Sequence, residues 1–351
     1  MSRAARARPA RRRSAARPAR VLSQEHRAWI VENLLAGVPE ATLAEQLASQ
    51  IPAARARREV TALARSPLLA TCAALADRAR RLELVAAIGR AHARHEPEPA
   101  AVERRTTPGP EEFFRSYWAA HRPVVFTDAT ARWPALGKWT PEFFRTQLAK
   151  ARLEITDGRA ADPRYDQNHD AHRKTTRMDH FIARVLAAGT SNDLYMVAHN
   201  NTMLRPAFRA LLADVVPPPG LFEPLEARQT SLWIGPAGTV TPLHHDTTNI
   251  LFNQLHGRKR FELISPQETV LLADPVDGFY SSVDLDHRGD SPHPAVRELL
   301  VKSVVLSPGD SLFIPAGWWH RVTSLDVSIS FSLLGFRRPN GFDWYRPGHA
   351  P

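Results

Sequence analysis

The chain has 351 residues, of which 43% are hydrophobic, and its formal net charge is +10. This length accommodates one large domain together with a smaller region. Residues 1–20 contain eight arginines and no acidic residue, which leaves a net charge of only +2 for residues 21–351. The excess of positive charge therefore belongs to an Arg-rich tail, predicted to be disordered, with only weak and salt-sensitive affinity for nucleic acid.

The composition argues against a membrane-spanning protein and against a protein stabilised by disulfides. No window approaches eighteen uninterrupted apolar residues, so no membrane span is predicted. Cys72 is the only cysteine, which excludes intramolecular disulfides and thiolate metal clusters. The Arg-rich start is not followed by an apolar run, so a secretory signal is not expected. We therefore predict a cytoplasmic protein.

Residues 21–100 are predicted to form an α-helical N-terminal region. Ser23 is a candidate N-cap, and Gly37 and Pro39 separate the first two helices. We expect these helices to pack on the catalytic domain or on a second copy of the chain rather than to read DNA. Two or three further helices are predicted to run through residues 53–66, 67–80 and 81–94.

Residues 101–351 are predicted to form the catalytic domain. Short apolar runs separated by Pro, Gly and Asp indicate strands, and many short strands at this spacing are typical of a sandwich or barrel. The predicted strands cover 124–126, 153–155, 194–197, 231–234, 249–255, 259–264, 303–306, 311–314 and 327–334. The predicted helices cover 110–119, 141–149, 177–187 and 205–215.

The segment Thr241-Pro242-Leu243-His244-His245-Asp246 offers a metal-binding pair. In an extended segment, residues two apart point to the same face, so His244 and Asp246 converge while His245 faces away. A single His-x-Asp pattern is only weak evidence for a metal site, because a third ligand is needed. His320, which follows an apolar run and a Pro/Gly corner, is the candidate for that ligand. Two imidazoles and one carboxylate form the facial triad of non-haem Fe(II) sites, which leaves positions open for oxygen chemistry. The alternative for His320 is a buried histidine bonded to the backbone.

Lys259 stands on the apolar face of a predicted strand. It shares that face with Phe261 and Leu263, whereas Arg258 and Arg260 share the other face. A buried ammonium is costly without an anionic partner. Either this long side chain reaches solvent, or it awaits the carboxylate of a ligand inside the domain.

The predicted strand 327–334 alternates apolar residues with Ser328, Ser330 and Ser332. Small polar groups along one face suit the wall of a polar cavity that holds a ligand. A solvated outer face would show the same alternation.

Residues 241–266 together with 308–334 resemble the JmjC/cupin-like family of Fe(II)- and 2-oxoglutarate-dependent oxygenases, and the similarity extends over roughly residues 105–336. The resemblance implies a mainly β fold with helical additions. Its core would be a double-stranded β-helix (jelly-roll or cupin) preceded by the helical region.

The same resemblance implies the site residues and the cofactors. His244, Asp246 and His320 would bind Fe(II) and act in catalysis, with 2-oxoglutarate as co-substrate and O2 as oxidant. Thr241 and Lys259 would bind the distal carboxylate of 2-oxoglutarate.

Two positions depart from the family's pattern. Relatives often carry an asparagine where this chain has Ile250, with Asn249 one residue earlier. Another asparagine is common on the last strand, where this chain has Ser332. We assign Asn249 and Ser332 to co-substrate binding.

The function favoured by the sequence is hydroxylation of a side chain of a protein or peptide substrate, with release of succinate and CO2. The alternatives are a hydroxylase of a small metabolite, an oxygenase of tRNA, and a non-catalytic metal-binding cupin module. Demethylation is accessible to the same iron centre.

Overall fold

The computed structural model describes residues 22–273 and 279–342. The Arg-rich tail predicted for residues 1–20 lies outside these ranges. The chain forms two compact units, one reaching Val85 and one starting at Ala86. The predicted boundary at residue 100 falls within the second unit and stays a prediction.

The N-terminal unit is built from helices. Ser23 caps the first of them, because its hydroxyl accepts a hydrogen bond from the His26 N–H at 3.2 Å. The helices are α1 (Gln24–Leu35), α2 (Glu40–Leu47), α3 (Ala53–Ala64) and most of α4 (Pro67–Ala93), whose residues from Ala86 onward belong to the second unit. Their buried cluster includes Ile30, Leu43 and Val60.

The predicted break between residues 80 and 81 is not present in helix α4. Two helices were expected over 67–80 and 81–94, but α4 is continuous from Pro67 to Ala93. No proline, glycine or N-capping residue stands between Ala79 and Leu82, so nothing in the sequence interrupts the helical hydrogen bonds there.

The second unit is mostly sheet, with helices added. The strands are β1 (Glu103–Arg105), β2 (Val124–Phe126), β3 (Arg152–Asp157), β4 (Arg173–Arg177), β5 (Leu194–Tyr195), β6 (Thr230–Gly235), β7 (Val240–His244), β8 (Ile250–His256), β9 (Lys259–Ile264), β10 (Val301–Leu306), β11 (Ser311–Ile314), β12 (Trp319–Ser324) and β13 (Ser328–Leu333). A six-stranded sheet has the order β1-β2-β11-β8-β13-β6, a four-stranded sheet the order β10-β9-β12-β7, and a three-stranded sheet the order β4-β3-β5. The β1–β2 pair is parallel.

The helices of this unit are short. They are α5 (Pro110–Phe113), α6 (Ala135–Lys138), α7 (Pro141–Gln147), α8 (Met178–Ala187), α9 (Pro206–Arg209) and α10 (Pro294–Arg297). The helix predicted over 110–119 is α5 followed by a π-helical turn, Phe114–Trp118. The helix predicted over 205–215 is α9 followed by a 3₁₀ turn, Ala210–Asp214. Within the described ranges, no helix has the length and apolarity that a membrane crossing requires.

The two larger sheets share one buried apolar cluster. It combines Phe252 of β8 and Leu312 of β11 from the six-stranded sheet with Phe261 of β9 and Val322 of β12 from the four-stranded sheet. The two sheets therefore face each other, and the space between them is where inward-pointing side chains meet.

A tight turn between β8 and β9 sets the register of Lys259. Gly257 has a φ of +66°, and a Cβ there would lie 2.1 Å from the carbonyl oxygen of Val327. Only glycine fits this turn. Along β9, Lys259 and Phe261 are buried while Arg260 is exposed, so the predicted alternation is confirmed.

Candidate metal centre and co-substrate pocket

The candidate metal centre is held by two paired strands. His244 ends β7 and lies opposite His320 of β12 in the antiparallel ladder. The imidazole centroids are 4.2 Å apart. Asp246 places its Oδ2 atom 3.6 Å from His320 Nε2 and 3.9 Å from His244 Nε2. The three side chains therefore converge, with ligand atoms all within 4.8 Å of one another.

Backbone carbonyls fix which nitrogen of each histidine is free. His244 Nδ1 lies 2.8 Å from the Pro242 oxygen, and His320 Nδ1 lies 2.9 Å from the Trp318 oxygen. A carbonyl oxygen only accepts, so each Nδ1 carries a hydrogen and each Nε2 keeps its lone pair for an ion. Burial, reinforced by His244, lowers the pKa of His320 to about 4, which keeps this ring in its ligating form at neutral pH.

The donor set fits the predicted metal. One carboxylate and two imidazoles, turned toward a common point, are the ligands of non-haem Fe(II) with positions left open. His245 points elsewhere, as predicted, with its ring 4.6 Å from that of Trp319 at 78°. The residue between the two candidate ligands packs against the apolar cluster beside β12.

The far end of the cavity is formed around Lys259. This residue is 1% exposed, and its Nζ donates a hydrogen bond to the Tyr195 hydroxyl at 2.6 Å. The rings of Tyr195, Trp233 and Phe252 lie 5.2, 5.9 and 5.2 Å from the ammonium. Burial lowers the pKa of Lys259 to about 7. The described contacts of this ammonium include no carboxylate, so an anionic ligand would supply the missing charge.

A single pocket connects Lys259 to the candidate metal ligands. Its walls include Thr241, Ser332 and Ile250 besides the three converging side chains. Ser332 accepts a hydrogen bond from Trp233 Nε1 at 2.9 Å. The structure therefore brings together all but one of the residues assigned from the sequence.

The exception is Asn249, whose side chain is used elsewhere. Its Oδ1 accepts from the Ala316 N–H at 3.0 Å, and its Nδ2 donates to Asn340 Oδ1 at 2.8 Å. Neighbouring residues on an extended segment point to opposite faces, and it is Ile250 that lines the pocket. Asn249 ties the chain near Asn340 to the loop before β12 and does not reach the co-substrate pocket.

Sequence reasoning missed Tyr195 and Arg159. Arg159 is 1% exposed, and its guanidinium lies 5.2 Å from the Tyr195 ring and 4.2 Å from the Tyr165 ring. It also donates to the Val240 oxygen at 2.7 Å. Tyr195 stands in a predicted strand, but nothing in the local pattern indicates that it meets a lysine 64 positions later.

An outer cavity of about 390 Å³ opens above the candidate metal centre. Asp166 forms part of its wall, is 7% exposed, and accepts a hydrogen bond from the Tyr280 hydroxyl at 2.7 Å. His169 and His199 also line it, and their rings are stacked at 4.4 Å. A carboxylate at this position gives the cavity wall a negative charge.

The sequence profile of the cupin-like domain matches residues 110–333, a range that includes every candidate metal ligand. The chain belongs to the cupin-like domain family. The resemblance to JmjC/cupin-like oxygenases is thereby confirmed. Its cofactors, Fe(II), 2-oxoglutarate and O2, are likewise supported by this membership and by the His-Asp-His cluster.

Curated relatives of this cupin-like chain are named as lysine-specific demethylases or as a Jumonji C domain-containing protein. Lysine-specific demethylase JMJ30 of Arabidopsis thaliana is 30% identical over 246 residues, which cover 66% of this chain and 54% of the relative. Lysine-specific demethylase 8 of Xenopus tropicalis is 30% identical over 240 residues, covering 66% and 52%. Jumonji C domain-containing protein 5 of Drosophila melanogaster is 29% identical over 252 residues, covering 66% and 59%. The chain thus spans about half the length of these relatives.

Proposed function

We propose that the protein is an Fe(II)- and 2-oxoglutarate-dependent dioxygenase that hydroxylates a protein side chain. In this reaction one oxygen atom of O2 enters the substrate and the other enters succinate, and 2-oxoglutarate loses CO2. The observation that carries the proposal is a single pocket with three convergent metal donors at one end and a buried lysine lacking a described carboxylate partner at the other. We further propose that the two facing sheets form the double-stranded β-helix of the family.

Each residue of the pocket has a separate task in this proposal. His244, Asp246 and His320 would hold the ion, which when bound supplies the activation of oxygen. Lys259 would bind the distal carboxylate of 2-oxoglutarate through its charge, and Tyr195 orients the ammonium by accepting its hydrogen bond. The rings that surround Lys259 exclude water, which strengthens the attraction between the two charges.

The outer cavity supports a side chain of a protein as the substrate. Its volume of about 390 Å³ suits one extended side chain entering from the surface. The Asp166 carboxylate in its wall favours a side chain that is positively charged. Two relatives are named lysine-specific demethylases, which agrees with a basic residue as the target.

Demethylation is the second candidate, because those relatives carry it in their names. Hydroxylation of an N-methyl group would give an unstable product that releases formaldehyde, so the same pocket serves both reactions. The two outcomes differ in mass: hydroxylation adds one oxygen atom to the protein substrate, whereas demethylation removes one methylene unit from it.

The test measures succinate and substrate mass together. Full-length protein with Fe(II), 2-oxoglutarate and O2 is incubated with a cell extract, and Asp246→Ala is the matched control. We expect succinate from the wild type alone and protein peptides that gain one oxygen. If the peptides instead lose a methylene unit and formaldehyde is released, the reaction is demethylation and not hydroxylation. If only metabolites or tRNA gain oxygen, the substrate is not a protein. Equal succinate from both proteins would contradict the oxygenase proposal and leave a binding module.

A further inference from the structure

Asp246 differs from the other two candidate metal ligands in what holds its backbone. His244 ends β7 and His320 lies in β12, so the antiparallel ladder fixes the backbone of both histidines. Asp246 lies between β7 and β8, in the connecting segment 245–249, which belongs to neither strand. The position of its carboxylate therefore depends on the bonds that this connecting segment makes with other parts of the chain.

One side chain fastens the far end of the connecting segment. Asn340 Oδ1 accepts hydrogen bonds from the backbone N–H and from the Nδ2 of Asn249, each at 2.8 Å. Asn340 Nδ2 donates to the carbonyl oxygens of Asn249 at 2.9 Å and of Leu334 at 2.7 Å. Asn249 is 3% exposed, so water has little access to its backbone groups. Asn340 supplies the partners that such buried groups require.

The Asn249 side chain extends this restraint to Asp246. Its Oδ1 accepts a hydrogen bond from the Ala316 N–H at 3.0 Å. The next residue, Gly317, donates its N–H to the carbonyl oxygen of Asp246 at 2.7 Å. A continuous series of contacts therefore runs from Asn340 to the backbone of a candidate metal ligand.

We propose that Asn340 is a positioning residue for the metal site, which holds the Asp246 carboxylate beside the two imidazoles before an ion binds. The inference rests on the proposed function, because it takes the three converging side chains to be the metal ligands. A carboxylate that is already in place loses less conformational freedom when the ion binds, which increases the affinity for the ion. Asn340 follows residue 333, where the match to the family profile ends, so this support comes from outside the matched part of the chain.

Metal binding without 2-oxoglutarate tests the proposal independently of catalysis. Metal-free full-length protein is titrated with Mn(II) in a calorimeter under anaerobic conditions, and the melting temperature of the same samples is recorded. We expect Asn340→Ala to raise the Mn(II) dissociation constant at least about threefold, less than the roughly 10–100-fold typical of groups that bond a metal ligand directly.

A second variant interrupts the same series of contacts at another point. Asn249→Ala keeps the bonds between its backbone and Asn340 but loses the bond to the Ala316 N–H. It should raise the Mn(II) constant in the same direction. This variant also keeps the test decisive if Asn340→Ala does not fold.

The matched control is Asn253→Ala, which removes another buried asparagine of β8. Asn253 is 0% exposed, its Nδ2 donates to the oxygens of Leu251 and Phe331, and its Oδ1 accepts from the Ser311 hydroxyl. The described walls of the co-substrate pocket and of the outer cavity do not include it. We expect a lower melting temperature and an unchanged Mn(II) constant.

The comparison separates support of the metal site from general stability. A Mn(II) constant raised by the changes at Asn340 and Asn249, and not by the change at Asn253, supports the proposal. A constant unchanged in Asn340→Ala, or raised equally in Asn253→Ala, would overturn it and leave the proposed function intact. A wild type that binds no Mn(II) would contradict the metal site itself, and this inference with it.

Discussion

At the metal end of the co-substrate pocket, the Asp246 side chain is 39% exposed and that of His244 is 14% exposed, whereas Lys259 at the far end is 1% exposed. The metal end faces the outer cavity and has its donors already in place. The far end is closed by aromatic rings and contains a cation without a described carboxylate partner. The difference shows that one end is complete before any ligand arrives, while the other reaches charge balance only when an anion binds.

Loss of a metal ligand is expected to have the largest effect on succinate formation. His244→Ala or Asp246→Ala removes one of three donors and should lower succinate formation by more than about a hundredfold, since changes outside the ligand set already cost roughly 10–100-fold. Succinate is measured with Fe(II) and 2-oxoglutarate in excess. Activity restored to either alanine variant by more Fe(II) alone would show that the removed donor is dispensable.

The next effect concerns the far end. Lys259→Ala leaves the distal carboxylate desolvated and unpaired, a loss of roughly 2–5 kcal/mol. We expect the apparent constant for 2-oxoglutarate to rise at least about tenfold, with the Fe(II) requirement nearly unchanged. Lys259→Arg should recover only part, because a planar guanidinium has a different shape from an ammonium.

The matched control is Arg258→Ala, one residue away on the solvent side. Arg258 pairs with Asp326 at 2.8 Å, an exposed ion pair that contributes little. The constant for 2-oxoglutarate should therefore stay close to that of the wild type. If Arg258→Ala raised the constant for 2-oxoglutarate and Lys259→Ala left it unchanged, the side of β9 that faces the pocket would be the one that carries Arg258.

The closed end should also make co-substrate binding depend on pH. The pKa of Lys259 is lowered to about 7 by burial, and a bound carboxylate would raise it again. Below pH 7 the ammonium is already charged, so binding takes up no proton. Above pH 7 binding takes up one proton, and the dissociation constant should rise by up to about tenfold per pH unit.

Calorimetry with Mn(II) in place of Fe(II) would measure this proton uptake, in two buffers of different ionisation enthalpy at pH 8. Lys259→Arg is the control, because a guanidinium stays protonated throughout this range. Identical heats in the two buffers for the wild type would mean that Lys259 is charged before the co-substrate binds.

The smallest effect on the pocket is expected from Asn249. Asn249→Ala removes the bonds to Asn340 and to the Ala316 N–H, and the half-buried partners that it leaves without these bonds cost at most roughly 1–3 kcal/mol. The melting temperature should fall by a few degrees, roughly 2–4 °C per kcal/mol, with the 2-oxoglutarate constant unchanged. If Asn249→Ala raised the constant for 2-oxoglutarate and left the melting temperature unchanged, Asn249 would contribute to co-substrate binding after all.

The sequence predicted the features that depend on local periodicity. The alternation along β9 placed Lys259 inside, and the spacing of His244 and Asp246 placed both donors together. Tyr195, Arg159 and Asp166 were not predicted, because their positions depend on how distant strands and loops pack. The break expected in α4 was wrong because no residue there ends a helix. Asn249 was assigned by proximity in sequence to Ile250, although a shift of one residue reverses the face of a strand.

The pairing of His244 with His320 in one antiparallel ladder also bears on the order in which the protein matures. Backbone hydrogen bonds between β7 and β12 place these two imidazoles side by side, so we expect that the ion is not needed to draw the strands together. The newly made chain would fold first and acquire its metal afterwards from whatever supply the cell offers. In such a protein, selection of the correct metal becomes a matter of availability and exchange, and a wrongly loaded molecule can be corrected without being unfolded.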